Sequence, residues 1–303
     1  MKVMFSSPVP HRNSAQVLGV QTSEALRKIG LSANFCHFND LKSFDSDIIV
    51  FCKFFDADLA RWAKTSGRKT VWFPDESLFG PIVPQALASQ HYIDCIISTC
   101  KKYSSKIREV GFKSPKTEII HHHHCNFNNE TVSLREKVKT VAYVGEPTQM
   151  HCVNELSEMC EDLGVRFVMK REKAKDLEDF EDIDVAVAFI DSQSSNDGLH
   201  IGEKTWQDRL DYRSNCKIVN YAAFGIPSVL SRYESYLEVA RPYDKFCLFA
   251  NTPEEFLSQT KRLIEDFSLR KRLRENGLKM RDDYHIDTIR ERYIKVFKGL
   301  SVL

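Results

Sequence analysis

The stretch RSNCKIVNYAAFGIPSVLS, Arg213 to Ser231, decides how this chain folds. Gly225 supplies the left-handed residue that ends a helix, and Pro227 prevents the helix from continuing. The spacing therefore predicts a helix that opens at Arg213–Lys217, closes on Phe224-Gly225 and feeds a buried strand over Pro227–Ser231. That is half of a βαβ repeat. Its opening is crowded with donors: Arg213, Ser214, Asn215 and Lys217. Free backbone N–H groups and a partial positive charge at a helix start suit a diphosphate. Cations there oppose the helix dipole by about a few tenths of a kcal/mol each, and a bound anion removes that penalty. The plainer alternative is a solvated first turn capped by Ser or Asn.

Outward from this unit, strands and helices alternate, the pattern of parallel sheets covered on both faces. Strands are expected at Lys2–Ser6, Ala33–Phe38, Asp47–Cys52, Lys69–Phe73, Cys95–Ser98 and Thr117–His121. Between them lie helices, the first carrying Leu18, Ala25, Leu26 and Ile29 on one face and ending at Gly30. A polar linker, Asn128–Lys137, precedes a second series. It opens with strand Val138–Val144 and Gly145, then helix Thr148–Leu163, and ends with strand Lys245–Phe249. Three helices follow Pro253. Asp191–Tyr212 has no clear period and reads as a long functional loop. The expected domains are 1–130, 131–285 and a final helix over 286–303. This is an α/β chain of two Rossmann-like parallel sheets facing across a cleft, with a helical tail. Ligands of open parallel sheets lie beyond the carboxyl ends of the strands.

Composition narrows the function. The 303 residues carry 43 Lys+Arg against 42 Asp+Glu, a balance that predicts no wholesale binding of nucleic acid. Nine cysteines, an odd number with no CxxC pair, argue for reduced thiols and a cytoplasmic setting. No stretch reaches the roughly 18 apolar residues needed to span a bilayer. Peripheral membrane contact through a surface patch is left open.

At KIVNYAAFGIPSVLS the chain resembles the GT-B glycosyltransferases, particularly the retaining group related to glycogen and sucrose synthases (families 4 and 1-like). These carry a helix ending in Ala-x-Gly-x-Pro before an apolar strand. TVAYVGEPTQ (Thr140–Gln149) resembles the start of their donor half. Leu269–Phe297 resembles their closing helices, the last of which crosses back to the first domain. The resemblance implies transfer of a sugar from a nucleotide-diphosphate sugar to a hydroxyl acceptor such as a glycan, lipid-linked sugar or protein. It also implies retention of the anomeric configuration, and with Lys217 and Arg213 doing the work of a metal at the helix start no obligatory cofactor or divalent cation is expected. The family's paired Glu residues fall here on Tyr212 and Asn220, so neither carboxylate is present. The chain is then either a divergent enzyme, with Lys217 and Asn220 in that role, or a silent sugar or nucleotide binder. A sugar-nucleotide epimerase of the same fold is a further alternative.

The candidate residues follow from these placements. Lys217 and Arg213 would stabilise the departing diphosphate, and Asp75, at the end of TVWFPDE, would deprotonate an acceptor hydroxyl or hydrogen-bond the sugar. Gly145, Glu146, Lys170, Ser214, Asn215, Asn220 and Trp206 are assigned to the donor, Trp206 by stacking on a sugar or base. His11, Asn13, Ser14 and Ser98 are assigned to the acceptor side. HHHHC (His121–Cys125) invites a metal reading, but consecutive residues of an extended segment point to opposite sides and cannot converge on one ion. The run precedes the hinge, which leaves one imidazole for substrate.

Overall fold

Runs such as IIVFC and TVAYV, buried along their whole length, belong in sheets covered on both faces. The computed structural model describes residues 1–75, 82–170, 180–191, 210 and 213–301. Within them lie two parallel sheets. The first holds β1 (Lys2–Ser7), β2 (Ser32–His37), β3 (Ile48–Cys52), β4 (Lys69–Phe73), β5 (Cys95–Ser98) and β6 (Lys116–Ile119) in the order β2-β1-β3-β4-β5-β6. The second holds β7 (Thr140–Val144), β8 (Arg166–Lys170), β9 (Val185–Ala188), β10 (Ser228–Ser231) and β11 (Leu248–Ala250) in the order β11-β10-β9-β7-β8. The order reverses beside β1 and beside β7, so both switch points open at the carboxyl ends of those strands.

The helices are α1 (Asn13–Ala15), α2 (Thr22–Lys28), α3 (Ala57–Thr65), α4 (Ile82–Ala88), α5 (Lys101–Val110), α6 (Val153–Asp162), α7 (Cys216–Ala223), α8 (Glu234–Ala240), α9 (Pro253–Glu265), α10 (Phe267–Lys279) and α11 (Ile286–Ser301). Local chemistry sets their ends. Asp56 Oδ1 accepts the Leu59 amide at 2.8 Å to start α3, and Gly225, at φ +70°, ends α7 as its position requires. One apolar core runs from the first sheet through α11 into the second. Phe5 meets Tyr293 and Phe297 edge-on at 6.3 and 6.2 Å, so the last helix does cross back to the first sheet. A separate core under α3, α4 and α5 covers the other face of the first sheet.

Three expectations change. Ile29 is exposed: a π-helical segment, Gln16–Gln21, rotates the later face, and the helix stops at Lys28. Thr148–Leu163 is not one helix. Pro147–Gln149 forms a short 3-10 turn and Cys152, at φ +58°, breaks the path before α6. The sixth strand ends at Ile119, so His121–His124 form an extended connection instead of a strand end.

That connection is fastened along α7. Asn215 Oδ1 accepts the His122 amide at 3.0 Å, and Asn220 Oδ1 accepts the Cys125 amide at 2.8 Å. Asn126 Nδ2 donates to the Ala223 carbonyl at 2.8 Å. Buried amides need partners, and here the hinge finds them on one helix. Arg270, 1% exposed, fixes the linker from the other side by donating to the Leu263, Ile264 and Glu136 carbonyls.

Candidate functional site

The carboxyl ends of the two sheets enclose a cavity of about 490 Å³. From the first lobe come Arg12 and Ser14 after β1, Lys53 after β3, Asp75 after β4 and His122 from the hinge. The second lobe contributes Glu146 and Gln149 after β7, then Arg213, Ser214, Cys216 and Lys217 at the head of α7, and Tyr236 from α8. Arg12, Lys53, Arg213 and Lys217 outnumber Asp75 and Glu146, so the enclosure favours an anion.

The head of α7 is built for this. Asn215 occupies the N-cap position, yet makes no side-chain cap, because its oxygen holds the hinge. The first-turn amides of α7 are thus not answered by the usual cap. Lys217 lies over the Tyr143 ring, its Nζ 5.1 Å from the centroid. Arg213, 5% exposed, donates from Nη2 to Gln149 Oε1 at 2.8 Å. Gly145 makes the room. It has φ +152°, and a Cβ there would sit 2.5 Å from Lys217 Nζ and 2.7 Å from the Tyr143 hydroxyl. Gly145→Ala is therefore expected to push the Lys217 ammonium aside. Thermal shift should show anion binding weakened at least about tenfold, with stability lowered by about 1–3 kcal/mol because Ala is strained at this φ.

On the opposite wall His122 Nε2 lies 3.1 Å from Asp75 Oδ1, both side chains buried. Burial opposes charge on the imidazole, but the neighbouring Cys216 sulfur and Asp75 carboxylate outweigh it and hold the His122 pKa well above its usual value. Asp75 has φ +39° and Lys53 φ +65°, uncommon for residues other than glycine. Both sit where adjacent strands end in the cavity, a setting in which backbone strain tends to be kept.

Of the sequence candidates, Lys217, Arg213, Ser214, Asp75, Glu146 and Ser14 line the cavity, and Gly145 lies directly beneath Lys217. Others do not. Asn215 and Asn220 hold the hinge, which leaves the donor role read for Asn220 without its side-chain oxygen. Ser98 is buried and donates to backbone carbonyls of Cys100 and Glu118. His11 is exposed outside the lining, and Lys170 ends β8 away from it. Trp206 lies outside the described residues, as does the side chain of Asn13. The four consecutive histidines diverge: His121 to Glu238, His122 to Asp75, His123 to Gln21 and His124 to the Arg281 carbonyl. Among the described residues no group of three or more His, Cys, Asp or Glu converges as metal ligands do, and no helix is long and apolar enough to cross a membrane.

Sequence reading missed Lys53, Gln149, Cys216 and Tyr236. Lys53 carried a signal: it directly follows the wholly apolar IIVFC strand, at the end where ligands bind. Cys216 lay inside the constellation at Arg213–Lys217 but passed as one more buried thiol.

No protein-family model matches the chain, and no curated protein matches it by sequence. Solved structures do match in shape. The sucrose-phosphate synthase from Thermosynechococcus elongatus superposes with a TM-score of 0.71 at 10% identity, over 100% of this chain and 99% of that one. HepE from Anabaena, solved in complex with UDP and glucose, gives 0.65 at 11% identity, over 100% of both chains. The lipopolysaccharide outer core galactosyltransferase WaaB, in its apo form, gives 0.55 at 10% identity, over 99% of each. The chain has the fold of the GT-B glycosyltransferases, two parallel-sheet lobes and a crossing final helix, across its whole length.

Proposed function

We propose that the protein transfers a sugar from a nucleotide-diphosphate sugar to a hydroxyl acceptor. The observation that carries the reading is the head of α7, where Asn215 makes no side-chain cap, Lys217 is seated over Gly145 and Arg213 lines the same cavity. The lobe over 131–285 holds the nucleotide and sets its diphosphate on this helix end. As the sugar's anomeric bond breaks, negative charge grows on the departing diphosphate. Lys217, Arg213 and the helix amides stabilise it without reorganising. These cations do what a divalent ion does at other diphosphate sites, so turnover is expected to survive a chelator. The acceptor, a glycan, lipid-linked sugar or protein, rests on the lobe over 1–130, with its hydroxyl near Asp75, His122 and Ser14. Retention of the anomeric configuration is the expected stereochemistry. That HepE was solved with UDP-glucose, on the same fold, supports a sugar nucleotide as the donor.

Thermal shift with UDP-, GDP-, ADP- and dTDP-sugars, paired with an assay for released nucleoside diphosphate, tests the proposal. One donor should raise the melting temperature and be consumed when an acceptor is added. A ligand at 100 times its dissociation constant adds about 2.7 kcal/mol. No shift with any of the four sinks the reading. Binding without release identifies a silent binder. A second enzymatic reading, epimerisation of the sugar nucleotide, draws on the gathering of Asp75, Glu146 and His122 in one cavity. It is recognised by an epimeric sugar nucleotide with no diphosphate set free.

A further inference from the structure

Cys216 differs from the other eight cysteines. Burial pushes the thiols of Cys36, Cys52, Cys95, Cys100, Cys152, Cys160 and Cys247 upward in pKa, which keeps them protonated and unreactive. Cys125 is buried and does not line the cavity. Cys216 is half-buried, lines the cavity and is the first residue of the eight-residue helix α7. A second, independent feature faces it. The His122 ring lines the same cavity with its side chain only 1% exposed, and among the described residues Nδ1 has no nitrogen or oxygen partner. Nε2 is already turned to Asp75 at 3.1 Å, so Nδ1 is the nitrogen left to face the thiol. A thiol at a helix start, beside an imidazole fixed by a carboxylate, has the surroundings of reactive cysteines. The cations around it add a preference for an anionic reagent.

We propose that Cys216 is a thiol-exchange site for anionic low-molecular-weight disulfides, with the His122 ring as the partner that favours its thiolate. The Cys216 thiol gives up its proton to solvent beside the charged His122 ring, and the thiolate sulfur bonds to one sulfur of the disulfide. The disulfide bond breaks, and the departing thiolate leaves to solvent, where it balances the proton that Cys216 gave up. One protein thiol and one disulfide thus become a mixed disulfide and a free thiol, with no net oxidation. The adduct occupies the cavity in front of Arg213 and Lys217, so thiol modification and anion binding exclude one another.

The test uses Ellman's reagent, itself an anionic aromatic disulfide, on the native full-length protein. One equivalent of coloured thiolate should be released in a fast phase, about tenfold or more faster than from free cysteine at neutral pH. Peptide mapping should place the adduct on Cys216. Cys216→Ser removes the fast phase. His122→Gln keeps the single equivalent but slows it at least about tenfold. Inorganic pyrophosphate should protect. A fast equivalent that maps to Cys152 or any other cysteine overturns the proposal, as does an unchanged rate in His122→Gln. Unimpeded labelling in saturating pyrophosphate overturns the mutual exclusion. None of these readouts needs sugar transfer, so they stand or fall apart from the proposed activity.

Discussion

Lys217→Ala is expected to lower release of nucleoside diphosphate by about two to three orders of magnitude while the fold persists, the loss seen when one preorganised charge or donor is removed from a developing anion. The side chain sits at the second position of α7, over the Tyr143 ring and above Gly145. It lies outside the core, so truncation opens no internal cavity. Circular dichroism and the melting temperature should therefore stay close to those of the parent. The substitution also removes a cation that opposes the α7 dipole, which favours the empty protein by a few tenths of a kcal/mol, roughly. Lys217→Arg keeps the charge but carries a broader head into the space beside Gly145, and should recover only part of the activity. Turnover unchanged in Lys217→Ala would mean that the diphosphate does not lie on this helix end. Turnover lost together with the circular dichroism signal would mean that the residue supports the fold instead.

The fold was largely legible because its decisive signals are local. Gly225 and Pro227 punctuate α7 wherever the chain goes, and IIVFC and TVAYV are too uniformly apolar for anything but a doubly covered strand. Strand order and the carboxyl-end rule then placed Asp75, Gly145 and Lys217 near one another. The hinge was not legible. Asn215 and Asn220 read as ligand-binding amides because nothing in the sequence tells that the amides of His122 and Cys125 will lie buried alongside them. A buried backbone donor takes whichever acceptor the tertiary fold brings, over about a hundred residues of chain here. His122 and Cys216 met for the same reason. Each was an ordinary residue in its own segment, and only the crossing of hinge and helix makes them a pair.

The same hinge makes stability depend on pH. His123 and His124 follow His122 along the extended connection and are both buried. Burial, with the positive charge of neighbouring His122 adding to it, holds the His123 imidazole well below its ordinary pKa. Burial brings His124 down to about 4, with His285 and Arg281 adding to the effect and the hydrogen bond to the Arg281 carbonyl opposing it. Both rings are then neutral in the folded state near pH 6, while in the unfolded chain they begin to protonate at about 6.5. The unfolded state binds more protons, so stability is full above pH 6.5 and falls as the pH drops toward 4. Each histidine contributes a slope of about 1.4 kcal/mol per pH unit, or about 2 kcal/mol between pH 6.5 and 5. His122 has the opposite sign. Its raised pKa stabilises the fold below 6.5 and loses that contribution only as the pH rises through the folded value, so it adds no slope in the acid window. Denaturant midpoints measured from pH 7 to pH 5 should accordingly fall steeply before the carboxylates titrate. His124→Gln keeps a donor for the Arg281 carbonyl and cannot titrate, so its stability should decline with a slope smaller by about one histidine's share. An identical slope in that variant would show that His124 takes up its proton equally in both states, and the acid sensitivity would then have to lie elsewhere than in the hinge.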